Sequence, residues 1–422
     1  MTDFRGGMEF RAGRAVQVPP PPPHVPAEMM RLLCTQRPAV TAGQRVTPGT
    51  LLHEPVPGQP GRLSPAEAVV DSVRPRPGGP SVRYEVVLVP EQGQIATSLP
   101  ITPPDERTHA AWLAAVSSSG AWDQPGLRGS LPEQLAAIGP GKPAAAVIGV
   151  GIDRFPPFAD RTSLLESFPE AAALGLKLLG DLLECRAKLL AGRPARRHSQ
   201  LVRACHDLGV QLIRADNPYP AADPTLVAFA HAGGRKLPRQ AGPAEAGLVL
   251  VSPWTIIRLG RWITRGRLDV VRPVMIAGVG SADTLRPVWA LPGQPLPSLD
   301  TRLCGSADRL CSRILLGNPL TGRRVEPAWN ESGRAPSLPP DAEVVSLWTP
   351  PTQAPPEPCV HCGWCAEVCP TELLPIRLAE AVQRGERPEP LRWCIDCGLC
   401  SHVCPSRLPL AQILREGAEH ES

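Results

Sequence analysis

Long apolar runs, aromatic residues and surplus charge are all scarce in this 422-residue chain, and each shortage excludes a class of protein. No run of about 18 uncharged apolar residues occurs, so we expect no helix that crosses a membrane. Aromatic residues make up 4% and the net charge is only +4, which argues against a nucleic-acid partner. The histidines stand singly, without an H-x-x-H or H-E-x-x-H pattern, and we assign none of them a catalytic role.

The N-terminus and the cysteines indicate the compartment. The first residues, MTDFRGGMEFRAGR, carry charges and lack the apolar segment of a secretory signal peptide, so we expect a cytoplasmic protein. Unpaired thiols agree with a reducing compartment. Five cysteines are scattered along the chain and are expected to be free thiols: Cys34, Cys185, Cys205, Cys304 and Cys311.

The other eight cysteines form two copies of one pattern. Residues 359–370 read CVHCGWCAEVCP and residues 394–405 read CIDCGLCSHVCP. Each copy is C-x2-C-x2-C-x3-C-P, the bacterial spacing that holds a [4Fe–4S] cluster. Three thiolates so close in sequence cannot surround one small tetrahedral ion, whereas a cluster offers a different iron to each. The sequence therefore predicts two [4Fe–4S] clusters.

In two-cluster proteins the fourth cysteine of each run binds the other cluster. We therefore predict a first cluster and a second cluster with these ligands: Cys359, Cys362, Cys365 and Cys404 for the first, and Cys394, Cys397, Cys400 and Cys369 for the second. Crossed ligation keeps the clusters close, so the module should pass single electrons. The competing interpretation is a pair of structural zinc sites, which leaves the doubled three-cysteine spacing unexplained.

The residues between the cysteines suit the same role. Gly363 and Gly398 allow tight turns that aim backbone N–H groups at sulfur. Val360, Trp364 and Leu399 are among the residues expected to form an apolar shell around the clusters.

The rest of the chain predicts an α/β multidomain protein. We expect Pro19–Pro23 to form a stiff polyproline segment within an N-terminal arm. Residues 331–358 hold many prolines and few apolar residues, which is typical of a linker. The expected division is a proline-rich arm (1–30), a small β domain (31–95), an α/β domain (105–245), a β-rich domain (246–330), a linker (331–358) and a ferredoxin-type module (359–422).

Apolar periodicity predicts the elements inside these domains. One long helix is predicted at Ser163–Ala191, between strands at Ala144–Val150 and Val210–Arg214. The basic stretch Arg186–His198 is expected to be a solvated helix end. Further predicted elements are strands at Val82–Val89, Ala246–Val251 and Val271–Ala277, and helices at His109–Ser117, Trp254–Trp262, Thr371–Gln383 and Leu410–Glu416.

In this order, the segments resemble the C subunit of the Rnf (Rsx) ion-translocating electron-transport complex. FRGGMEF is similar to its N-terminal F-x-G-G segment, residues 39–54 to its lipoyl-like β domain, and residues 219–255 to its Y-P-x-G segment. VRPVMIAGVG and GNPLTGRRV resemble its β-grasp domain. The α/β domain more distantly resembles the A subunit of the sodium-pumping NADH–quinone reductase and the flavoprotein subunit of respiratory complex I.

In that family the α/β domain binds FMN and accepts hydride from NADH, through a loop of the form G-x-G-G-x-G-F-P-T. The matching residues 117–130 read SSSGAWDQPGLRGS, where only three glycines could serve. A phosphate cradle needs consecutive unobstructed backbone N–H groups. The glycines that could serve are Gly120, Gly126 and Gly129. The residues that obstruct the cradle are Trp122, Gln124 and Pro125.

The family's other cofactor segments are also altered. The acidic loop N-x-x-E-x-E-P-Y matches IGVGIDRFPPF, which keeps one acid, Asp153, beside Arg154. Ala222 stands where Y-P-x-G has its glycine. We therefore expect neither FMN nor NADH to bind, and no NADH dehydrogenase activity from this chain.

The resemblance implies an iron–sulfur electron-transfer subunit, peripheral on the inner face of the cell membrane and assembled with other subunits. Electrons would enter from a soluble donor or from a flavin on a neighbouring subunit. The alternative is a non-catalytic docking or assembly subunit, or a stand-alone ferredoxin-like adaptor, in which the clusters are structural.

Overall fold

The computed structural model describes residues 6–11, 13–34, 36–56, 61–76, 83–120, 122, 124, 127, 129–138, 143–192, 200–216, 218–239, 241–279, 285–299, 314–325, 336–340, 342–348 and 354–419. Cys304, Cys311, Pro125 and Gly126 lie outside these residues. The helices, in chain order, are α1 (His109–Ser118), α2 (Leu131–Ala137), α3 (Asp160–Ser167), α4 (Pro169–Leu182), α5 (Gln200–Asp207), α6 (Pro224–His231), α7 (Pro253–Arg265), α8 (Trp364–Glu367), α9 (Pro375–Gln383), α10 (Leu399–His402) and α11 (Leu410–Glu419).

The strands of the described residues, in chain order, are β1 (His24–Pro26), β2 (Met30–Cys34), β3 (Arg45–Val46), β4 (Leu51–His53), β5 (Arg62–Leu63), β6 (Ala68–Arg76), β7 (Arg83–Pro90), β8 (Gln94–Ala96), β9 (Ser98–Leu99), β10 (Ala146–Gly151), β11 (Arg186–Gly192), β12 (Gln211–Ala215), β13 (Leu248–Val251), β14 (Leu268–Asp269), β15 (Arg272–Val279), β16 (Leu285–Ala290), β17 (Ile314–Leu316), β18 (Arg323–Val325) and β19 (Val344–Trp348).

The N-terminal β region is an antiparallel sheet in the order β2-β7-β6-β3, with the short pair β4-β5 beside it. Its core includes the buried side chains of Leu32, Val70, Val86 and Leu88. These side chains form a buried layer beneath the sheet. The strand predicted at Val82–Val89 is β7.

The proline-rich arm is packed against the protein, so its interpretation as a spacer is wrong. Val18 is 1% exposed, and its N–H donates to Ser167 Oγ at 2.9 Å. Trp289 Nε1 donates to the carbonyl of Pro19 at 3.1 Å, and β1 pairs with β8. An extended proline run leaves its backbone carbonyls unpaired, so side chains of the neighbouring domains can use them as acceptors.

The α/β region contains a parallel sheet in the order β12-β11-β10-β13. All six residues of β10 are buried, because helices cover both faces. Val147 packs in a cluster with Leu176 of α4 and Ile256 of α7, whereas Ile148 packs on the other face with Val227 of α6. The predicted boundary after residue 245 is therefore wrong, since β13 and α7 belong to this layer and not to a following domain.

The long helix predicted at Ser163–Ala191 is two helices and a strand. Pro169 begins α4, which follows α3 after the single residue Phe168. Glu184 takes a left-handed φ of 49°, and the chain then enters β11, where Leu189 and Leu190 are buried between neighbouring strands. The apolar residues of β11 continued the helical spacing by chance. The predicted solvated helix end at 186–198 is likewise wrong over β11, and residues 193–199 lie outside the described residues.

A five-stranded mixed sheet follows, in the order β16-β15-β19-β17-β18. Its third strand, β19, pairs in parallel with β15 and antiparallel with β17. Val345 of β19 is fully buried. The linker predicted at residues 331–358 therefore contains a central strand of this sheet. The prolines on both sides of Val344–Trp348 concealed a short apolar segment whose backbone is paired on both edges.

The C-terminal module consists of the two cysteine motifs and the helices α8 to α11. Helices α9 and α11 pack on one another through a small core that includes Leu378, Leu391, Leu410 and Leu414. Ser401 Oγ accepts a hydrogen bond from the N–H of Ala411, which fixes the start of α11 to the second motif. The helices predicted at Thr371–Gln383 and Leu410–Glu416 correspond to α9 and α11.

Two glycines allow α4 and α7 to touch through their backbones. A Cβ atom on Gly175 would lie 1.9 Å from the carbonyl oxygen of Ile256, and one on Gly260 would lie 2.0 Å from that of Ala171. Helix propensity alone disfavours both residues by about 1 kcal/mol relative to alanine. The close helix contact therefore requires these glycines in spite of their cost to the helices.

We predict that Gly175→Ala lowers the free energy of unfolding by about 2 kcal/mol or more, because a forced backbone separation outweighs the gain in helix propensity. Urea unfolding of the anaerobic protein, followed by tryptophan fluorescence, measures the change. Gly242→Ala is the control, since Gly242 has a φ of −77° and a Cβ there meets no atom within 4 Å. The control should change stability by less than about 1 kcal/mol, and equal destabilisation of both variants would contradict the prediction.

Candidate metal centre

The two cysteine motifs fold into the same backbone turns. Gly363 and Gly398, which follow the second cysteine of each motif, have φ of 81° and 80°. The residues before those cysteines are also left-handed, with φ of 53° at His361 and 55° at Asp396. The glycine turns predicted from the sequence are confirmed. The two motifs therefore hold their cysteines on backbone turns of the same conformation.

Backbone N–H groups point at the sulfur atoms. His361 N lies 3.4 Å from Cys359 Sγ, and Leu373 N lies 3.3 Å from Cys369 Sγ. Burial raises the pKa of the second-motif thiols, and backbone N–H groups of following residues donate to sulfur and oppose that rise at these pairs: Asp396 to Cys394, Leu399 to Cys397, and Ser401 to Cys400. Such donors stabilise thiolates and would stabilise the sulfur atoms of a bound cluster.

The sulfur atoms group across the motifs. Cys359 and Cys362 are close enough to Cys365 for their charge to raise its pKa. Cys369, although it belongs to the first motif in sequence, has the same effect on the pKa of the second-motif thiols, which are Cys394, Cys397 and Cys400. The described residues contain no set of three His, Cys, Asp or Glu side chains placed to hold a single metal ion.

Burial keeps the free thiols of the second motif protonated. Desolvation raises the pKa of Cys394 to about 11 and that of Cys400 to about 12. A thiolate there needs a nearby positive charge, which iron supplies when it displaces the proton. Together with the N–H donors, the group formed by Cys369, Cys394, Cys397 and Cys400 fits an iron–sulfur cluster in ligand chemistry and surroundings.

The second motif faces the interior of the protein. Tyr219, which is 4% exposed, donates from its hydroxyl to the carbonyl oxygen of Cys397 at 2.6 Å. Gly398 lies against the loop after β17, where a Cβ atom would meet the carbonyl oxygen of Leu320 at 2.6 Å. A small cavity of about 80 Å³ separates Cys397 and Asp396 from Arg154 at the end of β10.

The N-terminal segment joins the module to the α/β region. Gly7 N donates to the carbonyl of Val368 at 2.9 Å, and Met8 exchanges backbone hydrogen bonds with Tyr219. The ring of Phe10 lies 5.9 Å from that of Tyr219 and 5.8 Å from that of His402. The F-x-G-G and Y-P segments were recognised in the sequence, but their contact with the cysteine motifs was not predicted. No local pattern in either segment indicates which distant residues it touches.

The first motif faces outward. Cys362 is exposed, and the nearby apolar side chains of Val360, Trp364 and Leu374 are 65%, 51% and 60% exposed. The expected apolar shell is therefore wrong at Val360 and Trp364, although Leu399 is fully buried. Adjacent apolar side chains at the surface of a module are typical of a contact site for another protein.

Among residues 117–130, the described side chains of Trp122 and Gln124 point into the protein. Trp122 is 1% exposed, stacks under the guanidinium of Arg258 at 4.0 Å, and lies 5.9 Å from the ring of Trp262. Gln124 donates to the carbonyl of Leu250 and accepts from the N–H of Ser252 at 3.0 Å. These side chains occupy the edge of β13 at its carboxyl end, where α/β sheets normally bind ligands.

Glycines and acids of the same region have structural partners. Gly120, with a φ of 67°, approaches the backbone of Gly61, and Gly129 has a φ of 87° beside Glu133. Asp153 caps α3 by accepting from Thr162 N at 2.9 Å and Thr162 Oγ1 at 2.6 Å. Arg154 lies 3.8 Å from Glu343, and Ala222 is buried.

The scattered cysteines lie apart from these sites. Cys34 and Cys205 are buried and Cys185 is partly buried; all three are free thiols.

None of the helices in the described part of the chain combines the length and the apolar character needed to cross a lipid bilayer.

Comparison with known proteins identifies the domain type of the cysteine module and the proteins that the chain resembles. The 4Fe-4S dicluster domain family matches residues 358–408. The chain is 29% identical to the C subunit of the ion-translocating oxidoreductase complex of Pseudomonas aeruginosa, over 34% of this chain and 18% of that protein. It is 25% identical to the C subunit of the Na(+)-translocating ferredoxin:NAD(+) oxidoreductase complex of Acetobacterium woodii, over 59% of this chain and 55% of that protein.

A NAD+-reducing [NiFe]-hydrogenase chain is a structural neighbour, with a TM-score of 0.44, 13% identity, and coverage of 74% of this chain and 60% of that one. The chain is thus similar to the C subunits of Rnf-type complexes, as the sequence motifs predicted, and the match spans only part of their length.

Crossed ligation predicts the iron content of two double variants. Cys369→Ser with Cys397→Ser should remove one cluster and leave about four irons per chain, because both residues would serve the same cluster. Cys404→Ser with Cys397→Ser should remove both clusters and leave almost no iron. Iron and labile sulfide analysis after anaerobic purification measures this. Cys185→Ser, the control, should keep about eight irons, and the reverse pattern in the double variants would indicate uncrossed ligation.

Proposed function

We propose that this chain is an iron–sulfur electron-transfer subunit of an Rnf-type membrane-associated complex, and that it passes single electrons through two [4Fe–4S] clusters. The observation that carries the proposal is the position of Cys369 among the sulfur atoms of the second motif. Such an exchange of ligands places the two cluster sites side by side. The dicluster match and the names of the relatives agree with it.

The predicted ligand sets follow from this arrangement. The first cluster would be held by Cys359, Cys362, Cys365 and Cys404, and the second by Cys394, Cys397, Cys400 and Cys369. When bound, the clusters supply one-electron redox chemistry. The chain's own residues supply thiolates, N–H donors to sulfur, and partial burial of the second site.

The two ends of the module suit different roles in this proposal. The second site is covered by Tyr219 and by the loop around Leu320, so it faces the protein's own domains. The first site, with Cys362 at the surface beside Trp364, would face a redox partner. Electrons would come from a soluble donor or a flavin on a neighbouring subunit, and the chain would sit peripherally on the inner face of the membrane.

We also propose that FMN and NADH do not bind the α/β region. Trp122 and Gln124 bury their side chains where a phosphate-binding loop would need open backbone N–H groups. Asp153 is committed to capping α3. In the same proposal, the N-terminal β region is lipoyl-like, the α/β region resembles the complex I flavoprotein subunit, and the five-stranded sheet is β-grasp-like.

Anaerobic purification followed by reduction tests both proposals. We predict about eight irons per chain and, after dithionite, an EPR signal from reduced clusters. NADH alone should leave the visible absorption of the clusters unchanged, because no flavin would mediate hydride transfer. The measurement is anaerobic absorption and EPR spectroscopy on one preparation, with dithionite as the positive control.

Three outcomes would contradict these proposals in distinct ways. A colourless protein loaded with zinc would refute the clusters themselves. Bleaching by NADH would show that the α/β region still binds the nucleotide and a flavin. Clusters that stay oxidised across a physiological potential range would favour the alternative role, a docking or assembly subunit in which the clusters are structural.

A further inference from the structure

A cavity of about 470 Å³ lies between the N-terminal β region and the loops of the five-stranded sheet. The residues that line it lie outside the cysteine motifs. Four strands of the β region each contribute one arginine to its lining: Arg31 of β2, Arg62 of β5, Arg76 of β6 and Arg83 of β7. The opposite wall is formed by the segments 292–293 and 336–340. The volume is within the range of small-molecule sites.

The lining is strongly basic and holds a single carboxylate. Glu85 of β7 is 4% exposed, and its Oε2 accepts from Arg76 Nη2 at 2.6 Å. One carboxylate beside four guanidinium groups leaves a surplus of three positive charges in a concave site. Such a site attracts anions, and planar guanidinium groups match the geometry of phosphate and carboxylate oxygens.

Three buried polar atoms of the lining have no hydrogen-bond partner among the described residues. They are Nε of Arg62, Oε1 of Glu85 and Oγ of Ser337. Leaving a buried donor or acceptor unpaired costs about 1–3 kcal/mol for each group. All three residues line the same cavity, but each of these atoms is closed to solvent, so the donors open to a ligand are the exposed arginines of the lining, Arg76 and Arg83.

The far wall is fixed in place by the backbone. Arg31 N donates to the carbonyl of Gly293 at 2.9 Å, and Gly293 N donates to the carbonyl of Leu338 at 2.7 Å. Gly293 has a φ of 99°, and a Cβ there would lie 2.2 Å from the carbonyl oxygen of Arg31. Gln294 Nε2 also donates to the carbonyl of Pro26 at 2.8 Å. The two sides of the cavity are therefore held at a set distance before any ligand enters.

We propose that this cavity binds a small organic phosphate that carries hydroxyl groups, in the size class of a nucleotide or sugar phosphate. The phosphate oxygens accept from the guanidinium groups that line the cavity. The organic part of the ligand, with its hydroxyl groups, fills cavity volume that inorganic phosphate leaves open. The occupant links the N-terminal β region to the five-stranded sheet, and this binding does not depend on the proposed electron-transfer function.

Isothermal titration calorimetry on the full-length, cluster-loaded protein tests the proposal with ADP, ribose 5-phosphate, inorganic phosphate and adenosine. We expect ADP or ribose 5-phosphate to bind, with inorganic phosphate at least about tenfold weaker because it lacks the contacts of the organic group. Adenosine should give no measurable heat. Arg83→Ala should weaken the organic phosphate about tenfold or more, since a charge-assisted hydrogen bond is lost.

The matched control is Arg45→Ala, which removes one arginine from the same β region outside the cavity; the Arg45 side chain is 78% exposed. It should leave the dissociation constant unchanged. If Arg83→Ala fails to fold, as judged by iron content and circular dichroism, Arg76→Ala makes the same test.

The results that would overturn the proposal are separate from those that concern the clusters. Absence of heat from both organic phosphates would overturn it. If Arg45→Ala weakened organic-phosphate binding as much as the cavity variants do, the binding would reflect general charge attraction, and the proposal would be overturned. Binding of adenosine as tight as that of ADP would exclude recognition of the phosphate.

Discussion

The desolvation of the second cysteine motif is the constraint on which much of the molecule depends. Burial raises the pKa of Cys394 and Cys400 far above the physiological range, so their thiolates are unstable without compensation. The compensation is local, from backbone N–H groups, and non-local, from the metal that the motif is built to hold. The domains that cause the burial are thus part of the site, because they determine how strongly the thiols depend on iron.

Short-range patterns in the sequence predicted what is local. The cysteine spacing, the left-handed Gly363 and Gly398, and strands such as β10 each depend on a few adjacent residues. What failed were features set by distant partners. Val344–Trp348 is a strand only because β15 and β17 flank it, and Pro19 is ordered only because Trp289 bonds to its carbonyl. Neither partner is visible in the segment itself.

The docking of the cysteine module shows the same division. The sequence predicts which cysteines would share a cluster, since crossed ligation is a property of the doubled motif, and this remains a prediction. It did not predict that Tyr219 bonds to Cys397 or that Gly7 bonds to Val368. These contacts join residues from three parts of the chain. They give the second site an internal face and leave Trp364 and Cys362 at the surface, and this difference gives the module a direction.

Residues of the loop 117–130 stabilise the edge of the parallel sheet in the α/β region. An edge strand such as β13 leaves backbone groups unpaired, and such groups need partners when they are buried. Gln134 pairs with both backbone groups of Leu250, and Gln124 pairs with Leu250 and Ser252. Amide side chains thereby satisfy the backbone groups at the carboxyl end of β13. A region stabilised in this way can serve as a rigid support for the cysteine module.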